Sequence, residues 1–173
     1  MKVCHICTLD NGGAGIAAYR LHLGLKSIGL DSKMLVMHRS SSDKDVVQFN
    51  QRSNITRRLV NKITNKIIKS EYNICKYIRP KGLDLFSDDR TIYFISKHPF
   101  IQEADIIHLH WIAFMVNYSE FFTKIKKPIV WTLHDMNPFT GGCHYSGACK
   151  KYEVGCGACP QLGSTDQNDL SRK

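Results

Sequence analysis

The sequence has no apolar run near the roughly 20 residues that a bilayer span requires, and no low-complexity tract or internal repeat. Within this sequence these absences argue against a membrane-spanning helix and a repeat array. The opening residues, MKVCHICTLDNGG, hold too short an apolar run before their glycines for a signal peptide, so a cytoplasmic protein is expected. Acidic residues are scarce: 15 Asp and Glu stand against 24 Lys and Arg, a formal charge of +9 on 173 residues. That surplus favours anionic partners. A nucleic-acid reader motif is missing, however, and both tryptophans, Trp111 and Trp131, lie outside the most basic segment.

What is present suffices for one ordinary core, since 43% of the residues are hydrophobic. The positive charge is concentrated between Arg52 and Lys81, where Arg57, Arg58, Lys62, Lys66, Lys69, Lys76 and Arg79 face the single acid Glu71. Seven cysteines in a reducing compartment argue for metal binding or burial over a disulfide framework. Cys4 and Cys7, three apart on a strand, face opposite sides of it, and with Cys75 read as buried small hydrophobes.

Taken in order, Lys2 to Leu9 reads as a strand, DNGGAG as a glycine loop, and Ile16 to Ile28 as a helix with its apolar face at Ala17, Leu21, Leu25 and Ile28. Gly29 is placed to stop that helix. Ser32 to His38 and Val46 to Phe49 read as strands. Ile55 to Ile78 gathers Ile55, Leu59, Ile63, Ile67, Ile74 and Ile78 on one arc and most of the basic residues opposite, a long amphipathic helix ended by Pro80 and Gly82. Its apolar arc is expected to pack on the sheet, leaving the basic face to an anionic membrane surface, to solvent or to nucleic acid. Leu83 to Asp88 has no clean period and reads as an irregular connector. Ile95 to Ala104 and Tyr118 to Ile125 are further helical pieces, and Asp105 to Trp111 and Pro128 to His134 are strands. Alternating strands and helices define an α/β fold with a Rossmann-like, mostly parallel sheet flanked by helices. In such sheets ligands bind beyond the carboxyl ends of the strands, which puts the glycine loop, His110 and Trp111, and His134 and Asp135 along one rim.

The glycine loop Gly12, Gly13, Gly15 opens a helix, where free N–H groups and the helix dipole favour an anion such as a diphosphate. It does not follow the G-x-G-x-x-G pattern, and no acidic residue stands about 20 residues on to hold a ribose, so a simple tight turn remains the alternative. His108 and His110 share one face of a strand and could ligate a metal, although strand histidines more often pack quietly. His134 can hydrogen-bond a sugar hydroxyl or a phosphate, with Asp135 beside it to orient it, contact an acceptor or cap the next element. Cys143, Cys149, Cys156 and Cys159 follow C-x5-C-x6-C-x2-C, and four thiolates in one loop can close a tetrahedral zinc shell. Packed thiols, disulfides or an iron-sulfur cluster are the other readings, and His144 is a substitute ligand. The polar end GSTDQNDLSRK reads as a tail.

The start MKVCHICTLDNGGAGIAAYRLHLGLKSIGLDSKMLV, the strand DIIHLHW and above all VWTLHDMNPFTGGCHYSGACKKYEVGCGACPQL resemble the N-terminal half of glycosyltransferase family 4 enzymes. The nearest type is that of bacterial capsule, O-antigen and colanic-acid polysaccharide synthesis. The resemblance implies a GT-B fold and retaining transfer of a hexose from a nucleotide-sugar to a lipid-linked glycan. It makes residues 1–162 the acceptor-side domain and 163–173 a tail or the start of a linker to a donor-binding domain. On this chain it implies Gly12, Gly13 and Gly15 as the loop facing the donor diphosphate and His134 as the histidine near the reacting sugar, with Asp135 in the same motif. A peripheral contact with the inner face of the cell membrane through residues 52–81 is expected. The competing expectations are a catalytically inert fragment and a basic, zinc-stabilised nucleic-acid-binding module.

Overall fold

A computed structural model of the chain describes residues 1–51 and 55–172. The readings made for Arg52, for the side chains of Ile55, Arg57, Arg58, Ile74, Cys75, Lys76 and Ile78, and for Lys173 lie outside what is described. The chain forms two compact units: Met1–Arg52 with Tyr93–His134, and Ser53–Ile92 with Asp135–Lys173.

The first unit is a five-stranded parallel sheet in the order β3-β2-β1-β4-β5. Its strands are β1 (Lys2–Leu9), β2 (Asp31–His38), β3 (Val46–Gln48), β4 (Ile106–Leu109) and β5 (Ile129–Trp131). β1 is central because KVCHICTL is buried on both faces, as a strand covered by helices on each side must be. Ile6 stands in register with Leu35 on β2 and with Leu109 on β4. Cys4 and Ile6 point into the larger core with Leu35, Ile107, Leu109, Ile101 and Phe121. Cys7 points the other way, among Ala18, Met34, Val36 and Val46, so the two cysteines do face opposite sides. Burial pushes the Cys4 thiol up to about 12, which makes it an inert core residue.

Helix α1 (Gly12–Ser27) begins earlier than its apolar period indicates, so the glycines form its first turn. Its buried face is Gly15, Ala18 and His22, and Ala17, Leu21 and Ile28 are exposed. The expected face is therefore displaced by one position. Small residues are what let this helix approach β1, because a Cβ on Gly15 would stand 2.6 Å from the Leu9 carbonyl oxygen. Gly29 ends the segment with φ +83 and donates its amide to Lys26 O, as expected of a left-handed stop. The short α3 (Pro99–Glu103) is trimmed relative to its period. Pro99 fixes the first helical position, and His98 caps the turn by accepting from the Phe100 amide. Helix α4 (Tyr118–Lys124) is capped by Asn117, whose side chain accepts from the Glu120 amide.

In the second unit, α2 (Ile55–Ile78) has the bounds its amphipathic period sets. The half-buried positions of its middle turns are Asn61, Asn65, Ile68 and Glu71, whereas Leu59, Val60, Ile63 and Ile67 are exposed. The remainder is loop with four single 3-10 turns, at Asn137–Phe139, Lys151–Glu153, Pro160–Leu162 and Leu170–Arg172. It closes on a small core of Phe86, Cys143, Cys159, Leu162 and Leu170. The polar end is tied into this core: Asp169 accepts from the Cys159 amide at 2.6 Å, and Leu170 and Ser171 are buried. No described helix is long and apolar enough to cross a membrane.

Candidate functional site

The order 3-2-1-4-5 reverses direction between β1 and β4, the place where an open parallel sheet splits its loops and leaves a crevice. Histidines occupy this part of the first unit. His5 sits opposite His108 in the ladder, and His108 and His110 stack at 4.3 Å between centroids. His5 Nδ1 lies 3.2 Å from His110 Nε2, and His110 Nδ1 lies 3.2 Å from His134 Nε2. His108 Nε2 is 2.8 Å from Thr132 Oγ1. The result is a row of imidazoles running from the sheet interior to the half-exposed His134.

Burial, reinforced by the neighbouring histidines, holds both His5 and His110 down to about 3, so at neutral pH they are uncharged. A neutral imidazole has one N–H and one lone pair, and each bond in the row therefore fixes the next. His5 Nε2 is buried without a hydrogen-bond partner among the described residues. An orphaned N–H is the rarer outcome, which places the His5 proton on Nδ1, donating to His110 Nε2. His110 then donates from Nδ1 to His134 Nε2. Ligand atoms of His5, His108 and His110 lie within 4.8 Å of one another. The hydrogen bonds of the row give that proximity a plainer cause than a metal.

His110 was expected to line a cleft. It is 3% exposed, and it acts on the rim by holding His134. Trp111 packs against the Cys7 cluster, and its carbonyl accepts from the Thr8 amide at 2.7 Å. The three loop glycines have different roles. Gly12 takes φ +68, Gly13 has open space around it, and Gly15 is required for close helix-strand contact. Gly12 and Gly13 are exposed at the start of α1. Asp10 anchors the same turn by accepting from the amides of Ser40 and Ser41.

In the second unit, Asp135 is tied to its own loop. Its carboxylate Oδ2 lies 2.5 Å from His144 Nδ1, its Oδ1 accepts from the Asn137 amide, and His144 Nε2 lies 2.9 Å from Ser87 Oγ. The order Ser-His-Asp is that of an activated nucleophile. Ser87 is only 1% exposed and is also held by the Asn137 side chain, so the row serves as a buried brace for the loop. His144 is thereby occupied and is not a substitute metal ligand.

The four loop cysteines line one small hollow of about 10 Å³, the size of a single small guest. All are free thiols. The Cys143 and Cys159 thiols influence one another, which holds Cys159 down and, with burial, pushes Cys143 up. Lys151 Nζ, on the wall of the hollow, donates to the carbonyls of Gly157 and Ala158. Four thiols are a donor set that zinc accepts, yet among the described residues the group whose ligand atoms lie within 4.8 Å of one another is His5, His108 and His110, and not these cysteines. Beside it opens a far larger cavity of about 650 Å³, lined by Pro80, Leu83, Asp84, Tyr145, Lys150 and Gln161 among others. Sequence reasoning missed this cavity, as it missed His5, His22 and Ser87, because each is a single unremarkable residue in its own segment.

Fold and site together define an α/β protein with a parallel, doubly wound sheet and a polar centre at its strand ends. Over 89 residues, or 47% of the chain, the sequence is 30% identical to the putative colanic acid biosynthesis glycosyl transferase WcaC of Escherichia coli K12. The chain spans 22% of that relative's length. No family model matches the chain, and no solved structure matches it.

Proposed function

We propose that this chain is the acceptor-side part of a retaining hexosyltransferase of the GT-B type, moving a sugar from a nucleotide-sugar to a lipid-linked glycan in cell-surface polysaccharide synthesis. The observation that carries the reading is His134, held at the carboxyl end of the sheet by a row of neutral imidazoles, in a chain partly similar to a glycosyltransferase. The His134 imidazole stands beside the transferred sugar, where a ring nitrogen hydrogen-bonds one of its hydroxyls. The exposed turn at Gly12 and Gly13 offers backbone N–H groups to the donor diphosphate. The cavity beside Tyr145 has room for several sugar units, and its exposed aromatic ring suits the apolar face of a pyranose. Cys143, Cys149, Cys156 and Cys159 would hold a structural zinc that fixes this loop, leaving the sugar chemistry to His134.

Titration calorimetry of the chain with UDP- and GDP-sugars tests the division of labour. Weak donor binding is expected, because the turn supplies only diphosphate contacts. Tight binding by this chain alone would contradict its assignment to the acceptor side.

A further inference from the structure

The loop after β4 holds a residue that its own conformation does not favour. Phe114 has φ +62, and among the described residues Ala158 is the other non-glycine residue with a left-handed backbone. L residues are disfavoured there because Cβ crowds the backbone, and bulky side chains enter that region least. The turn is imposed from both sides. Thr8 donates its amide to Trp111 O and its hydroxyl to Ala113 O, each at 2.7 Å, and the amides of Met115 and Val116 both close on Ile112 O at 3.2 Å. Ile112, Ala113, Met115 and Val116 are buried, whereas Phe114 in their midst is 42% exposed, its ring edge-on to Trp111 at 6.2 Å. Glycine would take this conformation without strain and would expose no apolar ring. The chain instead keeps an aromatic side chain at the surface on a disfavoured backbone, the pattern of a residue held for a ligand.

We infer that Phe114 is the stacking platform for the hexopyranose that accepts the transferred sugar, and so a specificity-determining residue. β4 lies between β1 and β5, so its loop stands between the glycine turn proposed for the diphosphate and His134, proposed for the transferred sugar. A ring bound beside that sugar is the acceptor's. Phenylalanine offers a π face and no polar atom, so it favours a ligand that presents C–H bonds, as one face of a pyranose does, and adds nothing for a phosphate. A hexose with an axial hydroxyl on that face stacks less well, which is how one aromatic ring discriminates between sugars. The identity of the ligand rests on the proposed transfer reaction, whereas the exposed ring on a left-handed backbone does not.

The test is a saturation-transfer NMR titration of the chain with the methyl glycosides of glucose, galactose and mannose, beside UDP and GDP. At least one glycoside is expected to bind, with saturation strongest at the protons of one ring face. Phe114→Gly and Phe114→Ala both weaken it about fivefold or more, and Phe114→Tyr, which keeps a ring, binds as the wild type does. The glycine variant is expected to melt about 2–4 °C above the alanine variant, because only glycine relieves the left-handed backbone. A ring that served packing alone would lower the melting temperature on removal and leave the glycoside affinity unchanged. Four results overturn the inference: no glycoside bound by the wild type, undiminished binding by Phe114→Gly, equal melting of the glycine and alanine variants, or a loss of UDP or GDP affinity in its place, which would make Phe114 a platform for the donor's base. Glycoside binding through Phe114 without any hexosyl transfer would leave the platform standing and remove only the proposed reaction. Transfer with an unchanged acceptor KM in Phe114→Gly would do the reverse.

Discussion

Acidification tests the buried imidazole row. His5 and His110 are held to about 3 in the folded chain, against about 6.5 in the unfolded one. Between those values the unfolded state binds protons that the native state refuses, so stability rises with pH and is lost as pH falls through about 6.5. One unit below the unfolded value, each such histidine has cost RT ln 11, about 1.4 kcal/mol, and the two together about 3 kcal/mol. His22 and His108 are shifted in the same direction by burial and add to the loss. Urea unfolding at about pH 7.5 and about pH 5.5 measures this, since carboxylates change little in that window. Trp111 and Trp131 both lie in the unit that holds the row, so intrinsic fluorescence reports on the right part of the chain. His5→Gln should make the loss smaller by about one proton's worth, roughly 1.4 kcal/mol at the lower pH. Equal stability at the two pH values, or greater stability at the lower one, would refute the buried neutral row.

Other perturbations separate the remaining parts. Gly15→Ala forces a Cβ against the Leu9 carbonyl and should cost about 1–3 kcal/mol in urea unfolding, while Gly13→Ala, in open space, should be neutral or stabilising by about 0.5 kcal/mol. Removing the brace by His144→Ala leaves Asp135 and Ser87 without their shared partner and should cost about 2 kcal/mol, seen as faster proteolysis of the loop. Zinc is expected near one equivalent by elemental analysis, and a strong chelator or Cys156→Ser should loosen the loop. A chelator that changes neither the metal content nor the circular dichroism would remove the zinc.

The sheet was largely legible, because a strand buried on both faces spells a continuous apolar run, and Lys2–Leu9 does so plainly. β4 and β5 came out shorter than their runs, since the polar residues after Leu109 and Trp131 already belong to the rim. The face of α1 was misread because its contact surface is Gly15, Ala18 and His22, residues that carry little hydrophobic signal. The period of α2 set its length but not the direction of its stripe, as a helical wheel shows which residues share a face and not what that face meets. His134 stood out by its place after an apolar strand. Its support did not, since His5 and His110 lie more than a hundred residues apart and meet only through the register of β1 and β4. For Asp135 the sequence offers three roles, to orient His134, to contact an acceptor or to cap the next element; the fold shows it accepting from the Asn137 amide just ahead and bonded to His144, nine residues on.

The claim that matters most is that a sugar is transferred with His134 at the reacting end. The direct measurement is transfer of labelled hexose, from a panel of UDP- and GDP-sugars to extracted membrane lipid, by the gene product that carries this chain. The account predicts transfer with at least one donor and a loss of about a hundredfold or more in His134→Ala, with Lys150→Ala affecting acceptor KM more than kcat. No transfer with any donor, or wild-type rates in His134→Ala, would contradict it.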